Sequence, residues 1–129
     1  MPKFMNPDTV AKPTSNYSQA VEVSANARRL IISGQVGVKP DGTIVKGLEA
    51  QTEQVFDNII AVLKAADMDL SNLVKIVTYC TVQGQMPAIR AARSRKLGTQ
   101  APASTMLFIS ALANPEYLIE VEAEAVKEG

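Results

Sequence analysis

"LEAQTEQVFDNIIAVLKAADMDLSNLVKIVTYCTV", residues 48–82, runs a helix pattern straight into a strand pattern. In its first part Leu48, Val55, Ile59, Val62, Leu63 and Ala66 recur at three- and four-residue steps, the one-sided stripe of a helix that covers a core. "DLSN" breaks the period. "LVKIVTYCTV" is then rich in β-branched residues and reads as a well-buried strand.

Outward from this pair, the same two periods alternate. "SQAVEVSANARRLIISG" (18–34) holds two strand-like runs: Val21 and Val23 alternate with polar neighbours, "RRLIIS" is a short apolar run, and "SANA" turns between them. In "KPDGTIV" (39–45) Pro-Asp-Gly is a turn, because proline presets φ and glycine accepts positive φ. "QMPAIRAARSRKLG" (85–98) is a second helix with proline near its start and glycine at its end. "ASTMLFISAL" (103–112) is a strand, "ANPE" a turn and "YLIEVEAEAV" (117–126) a final strand. In that last run Ile119, Val121, Ala123 and Ala125 share one face, and Glu120, Glu122 and Glu124 the other. The order β-β-(β)-α-β-α-β-β, without repeat or linker, predicts one α+β domain over 1–129: a mixed sheet with both helices on one face.

Composition narrows the chemistry. A chain of 129 residues suits one core, and thirteen basic residues balance thirteen acidic ones. That balance argues against a chain-wide pull toward nucleic acid or an anionic membrane. No apolar run approaches the roughly 20 residues a bilayer span needs. "MPKFMNPDTV" also lacks the apolar centre of a secretion signal, so the expected location is the cytoplasm. With no histidine, His-based triads, general bases and metal ligands are excluded; with one cysteine, so are an intrachain disulfide and a CxxC cluster. Catalysis must use carboxylates, Tyr, Ser/Thr, Lys, Arg, backbone groups and water. Cys80, inside the strongest strand, reads as a small buried hydrophobe.

The second helix poses its own question. At about 100° per residue, Met86, Ile89 and Leu97 define its inward face. Arg93 falls inside that sector, Arg90 at its edge, and Arg95 points away. An inward arginine needs a partner or an exit to solvent. It either snorkels or pairs with a carboxylate, or it is the cationic wall of a ligand cleft. "RAARSRK" (90–96) holds four cations in seven residues. Without interleaved aromatics it reads as a solvated helix face rather than an RNA-binding patch, so nucleic acid is not an expected partner.

"NYSQAV" (16–21), "LIISGQVGV" (30–38), "QTEQVFDNIIAVLKAADMDLSNLVKIVTYCT" (51–81) and "LIEVEAEAV" (118–126) together resemble the RidA family, also called YjgF/YER057c/UK114. The resemblance implies a chorismate-mutase-like fold. It also implies a homotrimer with a central barrel and three clefts at the subunit interfaces, each taking a small anionic metabolite. Members of the family hydrolyse reactive enamines and imines to a keto acid and ammonia, with no metal or organic cofactor. A carboxylate positions the attacking water and an arginine forks onto the substrate carboxylate. By the same resemblance Glu120 is the water-orienting carboxylate, Thr105 flanks the substrate, Tyr17 stands in the cleft, and Ser33-Gly34 form its lip. The chain departs from the family at three positions. Ala103 stands where the cleft arginine is expected, Arg90 where asparagine is usual, and Arg93 where an aromatic is usual.

Each of these residues also has a plainer account. Glu120 shares a solvated strand face, Tyr17 is an edge tyrosine, Ser33-Gly34 a strand end, and the two arginines make structural salt bridges. The leading functional reading is an enamine/imine deaminase in which Arg90, with Arg93, replaces the missing guanidinium. The alternatives are a non-catalytic metabolite-binding trimer and, less favoured, an endoribonuclease or a chaperone-like interaction protein.

Overall fold

Two hydrophobic periods, near 3.6 in the helical segments and 2 in the strands, resolve into two layers. A computed structural model describes residues 2–128. In chain order they form β1 (Lys3–Met5), β2 (Ala20–Glu22), β3 (Arg28–Val36), α1 (Leu48–Ala65), a 3-10 turn (Leu70–Asn72), β4 (Leu73–Cys80), α2 (Met86–Leu97), β5 (Ala103–Phe108) and β6 (Ile119–Lys127). The main sheet has the order β3-β6-β4-β5. β6 runs antiparallel to both neighbours, and β4 and β5 are parallel. A parallel pair needs a crossover, which α2 supplies.

Both helices lie on one face of this sheet, as expected. Val55, Phe56, Ile59 and Leu63 of α1 and Ile89, Ala92 and Leu97 of α2 are buried. They meet Ile32, Leu73, Ile76, Ile119, Val121, Ala123 and Ala125 from the strands. β6 alternates as its sequence does: its apolar set is buried, while Glu120, Glu122 and Glu124 remain partly exposed on the opposite face.

A buried amide ties α1 to the loops around it. Gln51 Nε2 donates to the carbonyls of Val45 (3.1 Å) and Glu116 (2.9 Å), and its Oε1 accepts from the Leu118 N–H (2.9 Å). Gly37 runs directly against this residue. A Cβ there would lie 2.9 Å from the Gln51 Cα, so only glycine lets the two backbones approach so closely.

The elements differ from expectation mainly at their ends. α1 stops at Ala65 rather than Met68, because Asp67 takes a left-handed φ of 57° that ends the helix. β5 ends at Phe108, four residues short of the apolar run, and "TIV" contributes only an isolated bridge between Val38 and Ile44. The strand at Val21 does not join the main sheet. It pairs with β1, which was not foreseen, in a separate two-stranded sheet, and Val23 lies exposed beyond it. Among the described residues no helix is long and apolar enough to cross a membrane.

Candidate functional site

The sheet face turned away from the helices carries rows of facing side chains. Across β6 and β4, Glu120 opposes Tyr79, Glu122 opposes Val77 and Glu124 opposes Lys75. Across β4 and β5, Lys75 opposes Ala103, Val77 opposes Thr105 and Tyr79 opposes Leu107. The three glutamates repel one another, and their neighbours relieve two of them. Glu124 pairs with Arg29, whose Nε lies 3.0 Å away, and with Lys75 at 3.8 Å. Glu122 accepts a hydrogen bond from the Tyr79 hydroxyl. That bond pushes the phenol above its ordinary value, with burial and the nearby charges of Glu122 and Glu120 adding to it.

Glu120 is different. Among the described residues its carboxylate has no hydrogen bond and no ion pair. It lies close against the β3 backbone instead: a Cβ on Gly34 would fall 1.9 Å from Glu120 Oε2 and 2.7 Å from its carboxyl carbon. Gly34 is therefore the floor on which this carboxylate rests. Ser33, beside it, is exposed. The structure thus brings together Gly34 and Glu120, two of the residues singled out from sequence.

A second group forms at the β5 edge. The segment Ser15–Ser18 is pinned along it. Asn16 Nδ2 donates to the carbonyls of Gly98 and Gln100, each at 3.1 Å. Ser18 Oγ donates to the Ala101 carbonyl at 2.6 Å, and the Ser18 N–H to that of Pro102 at 3.2 Å. Ser18 also bridges to Ala103, so half-buried Tyr17 sits beside the start of β5. Arg93 of α2 reaches the same segment, its Nη2 donating to Ser15 Oγ at 3.2 Å. Burial, with Arg90 close by, holds the Arg93 guanidinium below its ordinary value. Arg90 and Thr105 are exposed.

Within one chain the two groups stay apart. Ala103 is in register with Lys75 and hence with Glu124, four residues along β6 from Glu120. At about 3.3 Å per residue along a strand and about 4.8 Å between strands, that separation is on the order of 15 Å. A small metabolite does not bridge it. Two cavities of about 300 Å³ open on this part of the sheet. One is lined by Ile31, Lys75, Val77, Tyr79 and Glu122 among others, the second by Arg29, Lys75, Ala103, Glu124 and nearby valines. Glu120 lines neither.

Sequence reasoning missed Tyr79, Lys75, Arg29 and Ser15. The period-two row Lys75–Val77–Tyr79 was readable, but which glutamate each would oppose depends on a register set over more than forty residues of intervening chain. Among the described residues no cluster of three or more His, Cys, Asp or Glu is placed to hold a metal ion.

Known proteins match this architecture. The endoribonuclease L-PSP family model matches residues 8–127. A RutC family protein of Pyrococcus horikoshii is 34% identical over 123 residues, 94% of each chain. A protein of the conserved Rid family from Yersinia pestis, solved as a crystal structure, superposes with a TM-score of 0.85 at 35% identity, covering 96% of this chain and 97% of that one. A mouse protein named 2-iminobutanoate/2-iminopropanoate deaminase is 32% identical over 113 residues, 86% of this chain and 81% of its own. A model match over nearly the whole length, together with relatives above 30% identity on the same fold, means that the chain belongs to the endoribonuclease L-PSP family, the RidA (YjgF/YER057c/UK114) proteins.

Proposed function

We propose that this protein is a hydrolytic deaminase of small reactive enamines and imines, with Glu120 positioning the attacking water. One observation carries the reading: among the described residues, Glu120 alone of three glutamates on one strand face has no hydrogen-bond or ion-pair partner. A carboxylate lying against Gly34, with both oxygens unengaged, is suited to accept a proton from water. Water adds to the C=N carbon as Glu120 takes its proton. The carbinolamine then collapses, the proton passes to the departing nitrogen, and a keto acid and ammonia leave. An enamine enters the same path after protonation at carbon gives the imine. The electrophile is already activated, so positioned groups suffice without a metal or organic cofactor.

The distance between the Gly34–Glu120 group and the Tyr17–Ala103 edge supports a cleft completed by a neighbouring copy. A homotrimer whose sheets close into a central barrel would bring one group against the other. It would also cover Ile31 and Leu107, which stand 62% and 45% exposed on the outer face. In such a cleft Tyr17 and Thr105 form the wall, and Ser33 and Gly34 the lip. The protein would work in the cytoplasm. RNA cleavage is less well supported, since two of the four cations in "RAARSRK", Arg95 and Lys96, are engaged by carboxylates of α1.

The test is to generate imines in situ with an amino-acid oxidase or dehydratase and to follow keto-acid formation. Wild type should accelerate it, and Glu120→Gln should lower the enzyme-dependent rate by about 10²-fold or more. No acceleration by wild type across acidic and neutral imines would leave the metabolite-binding alternative in its place.

A further inference from the structure

Helix α2 carries four cations in two pairs with opposite surroundings. Arg95 and Lys96 reach across to α1: Arg95 to Glu49 and, at 3.4 Å, to Glu53, and Lys96 to Asp57 at 2.9 Å. Arg90 and Arg93 are three residues apart, a spacing that makes them neighbours on one side of the helix. Among the described residues neither has a carboxylate within ion-pair reach. Arg93 is also the partly buried one, with Arg90 pressing on it.

Two adjacent guanidinium groups, one partly desolvated and neither neutralised, form a destabilising arrangement. An anion between them would remove both costs. The wall opposite is firm, because Asn16 and Ser18 lash the Ser15–Ser18 segment to the α2–β5 connection. The bond from Arg93 to Ser15 occupies only one of its amino groups, leaving N–H donors that fit the two oxygens of a carboxylate. β5 itself, Ala103–Phe108, offers no charged side chain for that task.

We infer that Arg93 and Arg90, with Ser15, form a carboxylate-binding site between α2 and the N-terminal segment, and that it takes the carboxylate of a small 2-imino or 2-keto acid. The choice of ligand rests on the deaminase reading above; the anion site does not. Arg93 makes the directional contact and Arg90 supplies a second positive charge at the rim. Tyr17 lies two residues from Ser15 on the same pinned segment, whose Ser18 bridges to the start of β5.

Calorimetric titration with 2-oxobutanoate, the stable keto-acid product class, tests this on wild type, Arg93→Gln, Arg93→Lys, Arg90→Gln and Arg95→Gln, each checked for folding by its thermal melt. Arg93→Gln should weaken binding by about tenfold or more, and Arg90→Gln by a few-fold. Arg93→Lys, which keeps the charge but loses the fork, should fall between wild type and Arg93→Gln. Arg95→Gln, whose guanidinium is turned to Glu49 and Glu53 of α1, should bind as wild type does. Wild-type affinity in both Arg93→Gln and Arg90→Gln would overturn the inference. So would failure of wild type to bind, or tighter binding of inorganic phosphate than of the keto acid. Arginine-dependent binding without imine turnover would sink the deaminase reading alone. Turnover with an unchanged KM in Arg93→Gln would sink this inference alone.

Discussion

The two faces of β6 are built from alternate residues of one nine-residue strand, yet they have opposite character. On the inner face Ile119, Val121, Ala123 and Ala125 are buried against the helices, and each contributes to a single apolar core. On the outer face Glu124 and Glu122 are engaged by neighbours while Glu120 is not. The same contrast recurs along α2, where Arg95 and Lys96 are neutralised by α1 and Arg90 and Arg93 are not. Stability is concentrated where every group has a partner. Chemistry is available where a charged group is held in place and left without one.

The sharpest way to separate the two faces is to damage each in turn. Phe56, 1% exposed, should cost about 3–5 kcal/mol when replaced by alanine, read as a fall in the urea midpoint, because a cavity opens beneath the sheet. Turnover per folded molecule should change little. Gly34→Ala does the reverse. The added methyl displaces the Glu120 carboxyl, so turnover should drop by up to about 10²-fold while the urea midpoint moves far less than in Phe56→Ala. If Gly34→Ala kept full activity, seating by Gly34 would not matter.

Smaller effects sharpen the contrast along α2. Arg95→Ala removes partners from Glu49 and Glu53 and should lower the melting temperature by about 1–2 °C, whereas Arg90→Ala should not lower it. An equal loss in both would mean that Arg90 also has a structural partner. The smallest effect is a pH dependence away from both faces. The Ser71 hydroxyl and N–H donate to Asp69 and hold its carboxyl below the usual range. The stabilisation is therefore complete above the unfolded-state value of about 3.9 and is lost as the pH falls through the lower folded value. The difference in urea midpoint between wild type and Asp69→Ala should stay constant from about pH 7 to 5 and shrink below about 4.

The inner face was legible in the sequence because burial leaves a period. The stripe of α1, the alternation of β6 and the proline and glycine bounding α2 each report local geometry. Gln51 was not legible: a buried amide breaks the apolar stripe, and its three partners lie in loops that only the fold brings together. The outer face was half legible. Three glutamates at alternate positions are visible in "IEVEAEA", but what distinguishes them is Tyr79, Lys75 and Arg29 on other strands. The resemblance pointed to Glu120; that its carboxylate lies against Gly34 and has no hydrogen-bond or ion-pair partner among the described residues could not be read from the sequence. Arg90 and Arg93 were ambiguous for the same cause, since the carboxylates that answer Arg95 and Lys96 sit on a helix some forty residues earlier.

The most direct measurement is imine-hydrolysis turnover in three variants of one strand: Glu120→Gln, Glu122→Gln and Glu124→Gln. The account predicts that Glu120→Gln loses about 10²-fold or more with an unchanged urea midpoint, while Glu122→Gln and Glu124→Gln keep turnover within a few-fold of wild type and are the ones that lose stability. Equal losses of turnover in all three, or full activity in Glu120→Gln, would contradict it.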